Sequence, residues 1–503
     1  MLLKKPGQFA VGSATQSGAG LLDLNFLNSD ATLSNTITHS RAGNATMVAS
    51  DGLIKWAPHN LALNSASPAT QSITVVSGAD YTVECIGSGS ITLSGAGTGT
   101  VTEGNEVEVT ASTTTLTLTV SGSLDAMWCY RSDLGGMAPV PAGERSFPSA
   151  STYVPTTSSA RYLPRVGHHV YNGSAWVNEG VLAESEARTN LFTYSSEFDN
   201  AAWEIGASTT LTADYATAPD GTTTAYRLEL PATSGTFFRG TVSIVSGQTY
   251  TLSFWVKATS GTSNFAIFDF GGGSENSSGQ LTATSEWQRF TQTFTATVTG
   301  GVFIGINNNP DTYASDILVW GAQLEAAPTP SSYIPTAGST VTRAAETFTI
   351  PAANLPYNSL AMSIQMNGRL SYADEGSAGQ VTYAQWEDDT NNRITLSLDT
   401  DSTATGEVNF TQVEGGTVDT VASSATEYAP GILVPFNIAS RHGATFINGA
   451  VDGVALTANT TPTNLPDLSA TDLDLAYDYM GTVERFRVWG LDLGDGGIEG
   501  ASS

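Results

Sequence analysis

One short pattern is written twice along this 503-residue chain. The first copy carries Asn60-Leu61, Tyr81-Thr82, Asp125-Ala126-Met127-Trp128, Tyr153-Val154-Pro155-Thr156 and Arg161. The second carries Asn190-Leu191, Tyr250-Thr251, Asp316-Ile317-Leu318-Val319-Trp320, Tyr333-Ile334-Pro335-Thr336 and Arg343. Recurrence in the same order constrains the fold to repeated units, and repeated units suit a built object that displays surfaces better than a single cleft. A hairpin signal precedes each copy. Asp51-Gly52 separates Thr46-Met47-Val48 from Leu53-Ile54-Lys55-Trp56, and Asn172-Gly173 separates His169-Val170-Tyr171 from Ala175-Trp176-Val177. Both dipeptides accept the positive φ of a tight turn.

Within the units, apolar residues alternate with hydroxyl residues. Ser72-Ile73-Thr74-Val75-Val76 and Thr115-Leu116-Thr117-Leu118-Thr119-Val120 do so in the first copy. In the second, Tyr250, Leu252, Phe254 and Val256 share the expected core face, with Phe290 and Phe294 from the next strand. A period of two is the mark of a half-buried antiparallel strand. A third region repeats the alternation in Leu360–Met366, Ile394–Leu398 and Thr482–Trp489. Almost no segment shows a helical period; Glu184–Asn190 is the one candidate for a helical turn. The expected fold class is all-β: tandem antiparallel β-sandwich (jelly-roll) modules with a largely irregular N-terminal arm. The boundaries read as an attachment arm at 1–45, a hairpin plus small sandwich at 46–165, a hairpin plus larger jelly roll at 166–343, and a third sandwich at 344–503. Ala327-Pro328-Thr329-Pro330 stiffens the second link, so spaced modules are expected. The Gly- and Asp-rich tail after Trp489 is expected to fray.

Only 13% of residues are charged, yet the net charge is −28, with 19 Lys and Arg in total. Such a surface repels phosphate backbones and anionic lipids, so no nucleic-acid partner and no membrane insertion are expected. An apolar share of 40% suffices for real cores. No apolar run reaches membrane-spanning length, and Pro6-Gly7-Gln8 interrupts the start of any leader. Cys85 and Cys129 read as buried thiols, with a disulfide left open.

The second unit resembles the carbohydrate-binding-module-like sandwiches of tailed-phage fibre and head-spike proteins. The resemblance is carried by Ala187-Arg188-Thr189-Asn190-Leu191, Ala218-Pro219-Asp220-Gly221-Thr222, Tyr250–Lys257, Trp287-Gln288-Arg289-Phe290, Val319–Glu325 and Ser331–Thr336. The first unit is similar but shorter, with Cys129-Tyr130-Arg131 where the second has Gly321-Ala322-Gln323. The third resembles concanavalin/laminin-G-type sandwiches through Phe436-Asn437-Ile438-Ala439 and a turn at Asn448-Gly449. The resemblance implies a non-enzymatic virion fibre or spike, of head or tail, that engages host surface polysaccharide. It further implies a homotrimer joined to a capsid or tail protein through the N-terminal arm, made in the host cytoplasm and displayed on the virion surface. The alternative is a capsid decoration or connector protein whose sandwiches make only protein contacts. A polysaccharide depolymerase ranks third.

Sugar recognition needs flat aromatic faces and planar hydrogen-bonding groups. The non-core face of the second unit offers Trp255, Trp287, Arg239, Arg289 and Asp269, with Asn307 on a rim. These are the candidate carbohydrate-binding residues; the competing reading packs them against a neighbouring module. No HExxH, CxxC, GxSxG or P-loop pattern occurs, and His168-His169 point to opposite faces of a strand. No catalytic residue, resident metal or cofactor is expected. Glu387-Asp388-Asp389 and Asp399-Thr400-Asp401 admit at most a structural calcium.

Overall fold

The computed structural model describes residues 20–28, 33–145, 147, 150–309, 312–374, 376 and 379–503. Antiparallel sheets build nearly all of it, as the alternating runs require. The first unit packs a four-stranded sheet (Gln71–Thr74, Thr115–Ser121, Ser90–Gly95, Gly99–Val101) on a three-stranded one (Val107–Thr110, Asp80–Ile86, Ala126–Arg131). Leu93, Leu116, Leu118, Val83 and Met127 fill the space between. Cys85 and Cys129 are buried free thiols in that core, and burial pushes the Cys129 pKa up.

The second unit is a larger sandwich. Its five-stranded sheet runs Thr210–Ala216, Ala225–Leu230, Ser315–Glu325, Thr249–Ala258, Gln288–Thr295. The opposing sheet is built on Trp203–Ile205, Phe237–Ile244, Gly300–Asn307 and Ser263–Asp269. Tyr250, Leu252, Phe254 and Val256 face inward onto Phe238, Phe265, Ile304 and Ile306, as the alternation predicts. The Glu184–Asn190 stretch is not helical: Val181–Glu184 and Arg188–Asn190 are strands, because each finds an open edge to pair with.

The duplicated pattern is a clasp that closes each sandwich. Asn190 donates Nδ2–H to the carbonyls of Ala322 and Ile334 and accepts N–H from Phe192 and Leu324. Asn60 likewise donates to Val154 and accepts from Ala62 and Cys129. Both amides are fully buried. A buried polar group left unpaired is costly, so a satisfied Asn at this point locks the entry strand to the exit linker. The tyrosine of Tyr-aliphatic-Pro-Thr then packs on the tryptophan of the last strand: Trp128 edge-to-face with Tyr153 at 5.2 Å, Trp320 tilted against Tyr333 at 4.6 Å.

The third sandwich departs most from expectation. Two segments of the expected N-terminal arm are strands of it. Leu21–Asn25 pairs with Met480–Trp489 in one sheet, and Thr38–Arg41 pairs with Glu346–Ile350 in the other. Leu22, Leu24, Phe26, Leu33 and Ile37 sit in its core, so the scattered apolar residues of that segment have a fixed destination. Residues 1–19 and 29–32 of the arm lie outside the described residues. Val181–Glu184, from the link between the first two units, also adds to the edge of Met480–Trp489. The C-terminal tail does not fray: Gly494–Ala501 is a helix whose Ile498 is buried against Ala439 and Ala450. Asn448-Gly449 lies inside the strand Ile447–Val451, where Phe410 occupies the space a Gly449 side chain would need, and the turn falls at Asp452-Gly453.

Modules are therefore interlocked rather than spaced. At their junction Arg165, wholly buried, forks onto Glu346 (2.6 and 3.2 Å) and reaches Glu184 at 2.7 Å. Arg41 also binds Glu346, and Arg343 lies 3.0 Å from Glu184. Burial would raise the Glu184 carboxyl, but Arg165 and Arg343 outweigh it and hold the pKa at about 2. The five residues come from every part of the chain, and the stiff proline link folds against them through Ser332, which donates to Glu184 from both N–H and Oγ–H.

Candidate functional site

The six sequence-predicted residues do not share one face. Trp255, Trp287 and Arg289 lie together on the outward side of the five-stranded sheet. Trp255 is the cross-strand partner of both Arg289 and Trp320, and Trp287 stands two residues from Arg289 on the same face. Arg239, Asp269 and Asn307 belong to the opposing sheet.

The face with Trp255 is capped. The two hairpins fold back over it, Thr46–Val48 with Ile54–Trp56 and His169–Tyr171 with Trp176–Asn178. Trp255 and Trp287 pack with Ile54, Trp320 and Tyr333. Trp176 lies on the Gly52 turn, so closely that a Cβ there would meet its indole at 2.2 Å. Gly321 (φ +64°) leaves room for the Trp255 ring, whose Cδ1 stands 2.9 Å from where a side chain would begin. The expected open sugar platform is thus a covered one, because Val48 and Ile54 of the first hairpin and Tyr171 and Trp176 of the second stand over it. What remains is a cavity of 420 Å³ between the second and third units, walled by Tyr171, Trp176, Trp255, Trp287, Arg289 and Ser331.

Inside this site Arg289 donates Nη1–H to the Ser331 carbonyl (2.5 Å) and Nη2–H to Ser253 Oγ (2.9 Å). Its Nε and the Trp255 Nε1 are buried without a hydrogen-bond partner. Trp287 donates to the Thr217 carbonyl at 3.1 Å. His168, also on the wall, accepts from the Val48 N–H, and burial lowers its pKa to about 3, so it is neutral at pH 7.

On the opposing sheet, Asp269 and Asn307 are committed to structure. Asp269, 1% exposed, accepts from Gly271 N–H, Asn276 Nδ2 and Gln292 Nε2. Burial raises its pKa while those three donors lower it. Asn307 donates to Glu275 and accepts from Asn309 N–H. Arg239 differs. Its guanidinium stands 3.5 Å from the Phe303 ring centroid and 4.0 Å from that of Phe237, with Glu204 at 2.9 Å. Its cross-strand partner is Gly305, which places no side chain over it. Phe303 is 37% exposed, and Thr241, Ser243 and Gly301 beside it are exposed. This strip is open.

Phe237, Phe303 and Glu204 join Arg239 there without having been picked out in the sequence. The period of two in Phe237-Phe238-Arg239 puts Phe237 and Arg239 on one side, but adjacent phenylalanines hide which side is core. Tyr171 and Trp176 were legible as hairpin aromatics, and their position over another module was not. Among the described residues, no group of three or more His, Cys, Asp or Glu side chains converges as a metal site. Asp389 and Asp399 accept hydrogen bonds from their own turns, at Asn391 N–H and Asp401 N–H.

Parts of the chain are similar to known proteins. No curated protein matches the chain. Likeness to the following solved structures is partial and weak. The leech intramolecular trans-sialidase complexed with 2,7-anhydro-Neu5Ac is 14% identical over 29% of this chain and 23% of that one, at a TM-score of 0.23. The CBM40 of Ruminococcus gnavus IT-sialidase bound to α2,3-sialyllactose is 14% identical over 29% and 84%, at 0.23. The botulinum neurotoxin serotype D binding domain is 10% identical over 30% and 38%, at 0.24. The matched part spans only about a quarter of the leech enzyme, and scores this low carry no inference about chemistry. Residues 192–304 match a carbohydrate binding domain family, CBM_4_9, and the open strip of Glu204, Phe237, Arg239 and Phe303 falls wholly within that span.

Proposed function

We propose that this chain is a non-enzymatic fibre or spike on the virion surface of a tailed phage, and that its second sandwich attaches to host surface polysaccharide. The observation that carries the reading is the family match at 192–304, a span in which Arg239 stands over the exposed ring of Phe303. Phe303 supplies an apolar edge for sugar C–H groups, and Arg239 and Glu204 supply planar partners for hydroxyls. A strip of this size binds each chain weakly, so a homotrimer would add avidity. Contact with a capsid or tail protein is assigned to the N-terminal end of the chain. No cofactor takes part.

The test is a glycan array read with intact protein. Arg239→Ala and Phe303→Ala should each weaken binding by about tenfold, the order of one cation–π or aromatic contact. Unchanged binding in both variants would sink the assignment. Labelled protein imaged on its particle tests the virion setting, and a stable monomer in solution would remove the avidity argument. The connector reading retains one supporting observation: the Trp255 face is occupied by the chain's own hairpins. A polysaccharide-free array across all host glycans would favour it.

A further inference from the structure

The junction cavity is a second candidate site, separate from the open strip and independent of the polysaccharide reading. Its 420 Å³ falls in the range of small-molecule pockets, which are mostly apolar with a few convergent polar groups. Aromatic walls come from two directions: Trp255 and Trp287 from the sheet, Tyr171 and Trp176 from the second hairpin. The exposed Gly173 and Ile432 on its lining open it to solvent.

That guanidinium is short of charge. No carboxylate lies within ion-pair distance of Arg289 among the described residues. Glu325, the acid that acts most strongly on it, does so at a distance and is hydrogen-bonded by the N–H and Oγ–H of Ser331 instead. Glu184, also on the wall, is shared by Arg165 and Arg343, and with Arg41 these arginines outnumber the glutamates Glu184 and Glu346. Burial pushes the Arg289 pKa down, as expected for a cation without a full partner. The unpartnered Trp255 Nε1–H and Arg289 Nε–H leave two donors unsatisfied, and buried donors without acceptors are costly.

We propose that this cavity binds a carboxylate-bearing sugar unit, its ring between the hairpin and sheet aromatics and its carboxylate at Arg289. A long polysaccharide cannot lie along the capped face, so the ligand is a free or terminal acidic residue. An oxygen-rich anion satisfies the charge of the guanidinium, while a neutral sugar satisfies only the aromatic walls.

The experiment is a titration of the full chain with D-glucuronate, D-galacturonate and N-acetylneuraminate, each compared with D-glucose and D-galactose, followed by tryptophan fluorescence and ligand-observed NMR. At least one acidic sugar should bind about tenfold or more tighter than its neutral counterparts, the order of one charge-assisted contact. Arg289→Gln should abolish the difference between acidic and neutral sugars. Trp176→Ala, on the far wall, should weaken binding of both without touching the sheet, and it keeps the test decisive if Arg289→Gln fails to fold. Equal binding of acidic and neutral sugars, no binding of any, or binding unaffected by both variants would overturn the proposal. Polysaccharide binding on the array with a flat titration would overturn the cavity alone. A positive titration with an empty array would do the reverse.

Discussion

Ser195 Oγ lies 2.7 Å from the Tyr333 hydroxyl, and Ser65 Oγ lies 3.0 Å from that of Tyr153 in the preceding unit. The serine then accepts the N–H of Thr336 or Thr156, at 2.8 Å in both copies. The repeated tyrosine thus closes a hydrogen-bonded clasp between the entry of a sandwich and its exit. Tyr333→Phe keeps the ring against Trp320 and removes only the hydroxyl. It should cost about 1 kcal/mol, the usual net value of one hydrogen bond, read as a lowered midpoint in denaturant with the slope unchanged.

Removing residues 1–45 tests whether that segment is a free arm or part of a core. Its strands complete both sheets of the third sandwich, and Leu24 and Phe26 are fully buried there. The truncated chain should lose hydrogen-exchange protection in Glu346–Ile350 and Met480–Trp489, where a free arm would leave protection unchanged.

Glu346→Gln removes the charge that Arg41 and Arg165 share. Breaking one side of a buried ion pair leaves an uncompensated charge, at a cost of about 3–5 kcal/mol. The midpoint should fall accordingly, and limited proteolysis should first cut the links between units, since this cluster joins them.

Acid should weaken the fold before any carboxylate titrates. Burial lowers the pKa of His59, His168 and His442 from 6.5 to about 3. Between those values the unfolded chain binds protons that the folded chain refuses. Stability is therefore full above pH 6.5 and declines as the pH falls toward 3. Glu184, held at about 2 against an ordinary 4.5, adds a second loss below pH 4.5. Thermal melts across this range should show a falling midpoint from about pH 6.5 downward. A midpoint flat down to pH 4.5 would show that the histidines are not buried neutral.

How much of this was legible depends on the range of the forces involved. The period of two gave the core faces of Thr249–Ala258 and Gln288–Thr295, because alternation across a pleat is a local property of a strand. The same locality misled at Asn448-Gly449, a good turn sequence that stays in a strand since Phe410 packs over the glycine. The tail after Trp489 has weak local helix propensity, and Ile498 orders it only by reaching a surface formed elsewhere.

By itself, the sequence determined an all-β chain of duplicated sandwiches, the clasp residues that recur in each, and which side chains face each core. Only the tertiary structure decided that the N-terminal segment completes the third sandwich, that Trp255, Trp287 and Arg289 lie beneath the hairpins while Arg239 lies beside the exposed Phe303, and that a cavity lies between units. Alternation states that a residue leaves its own core. Whether it then meets water or another module depends on pairing between strands hundreds of residues apart, such as Leu21–Asn25 with Met480–Trp489, and no local pattern encodes that choice.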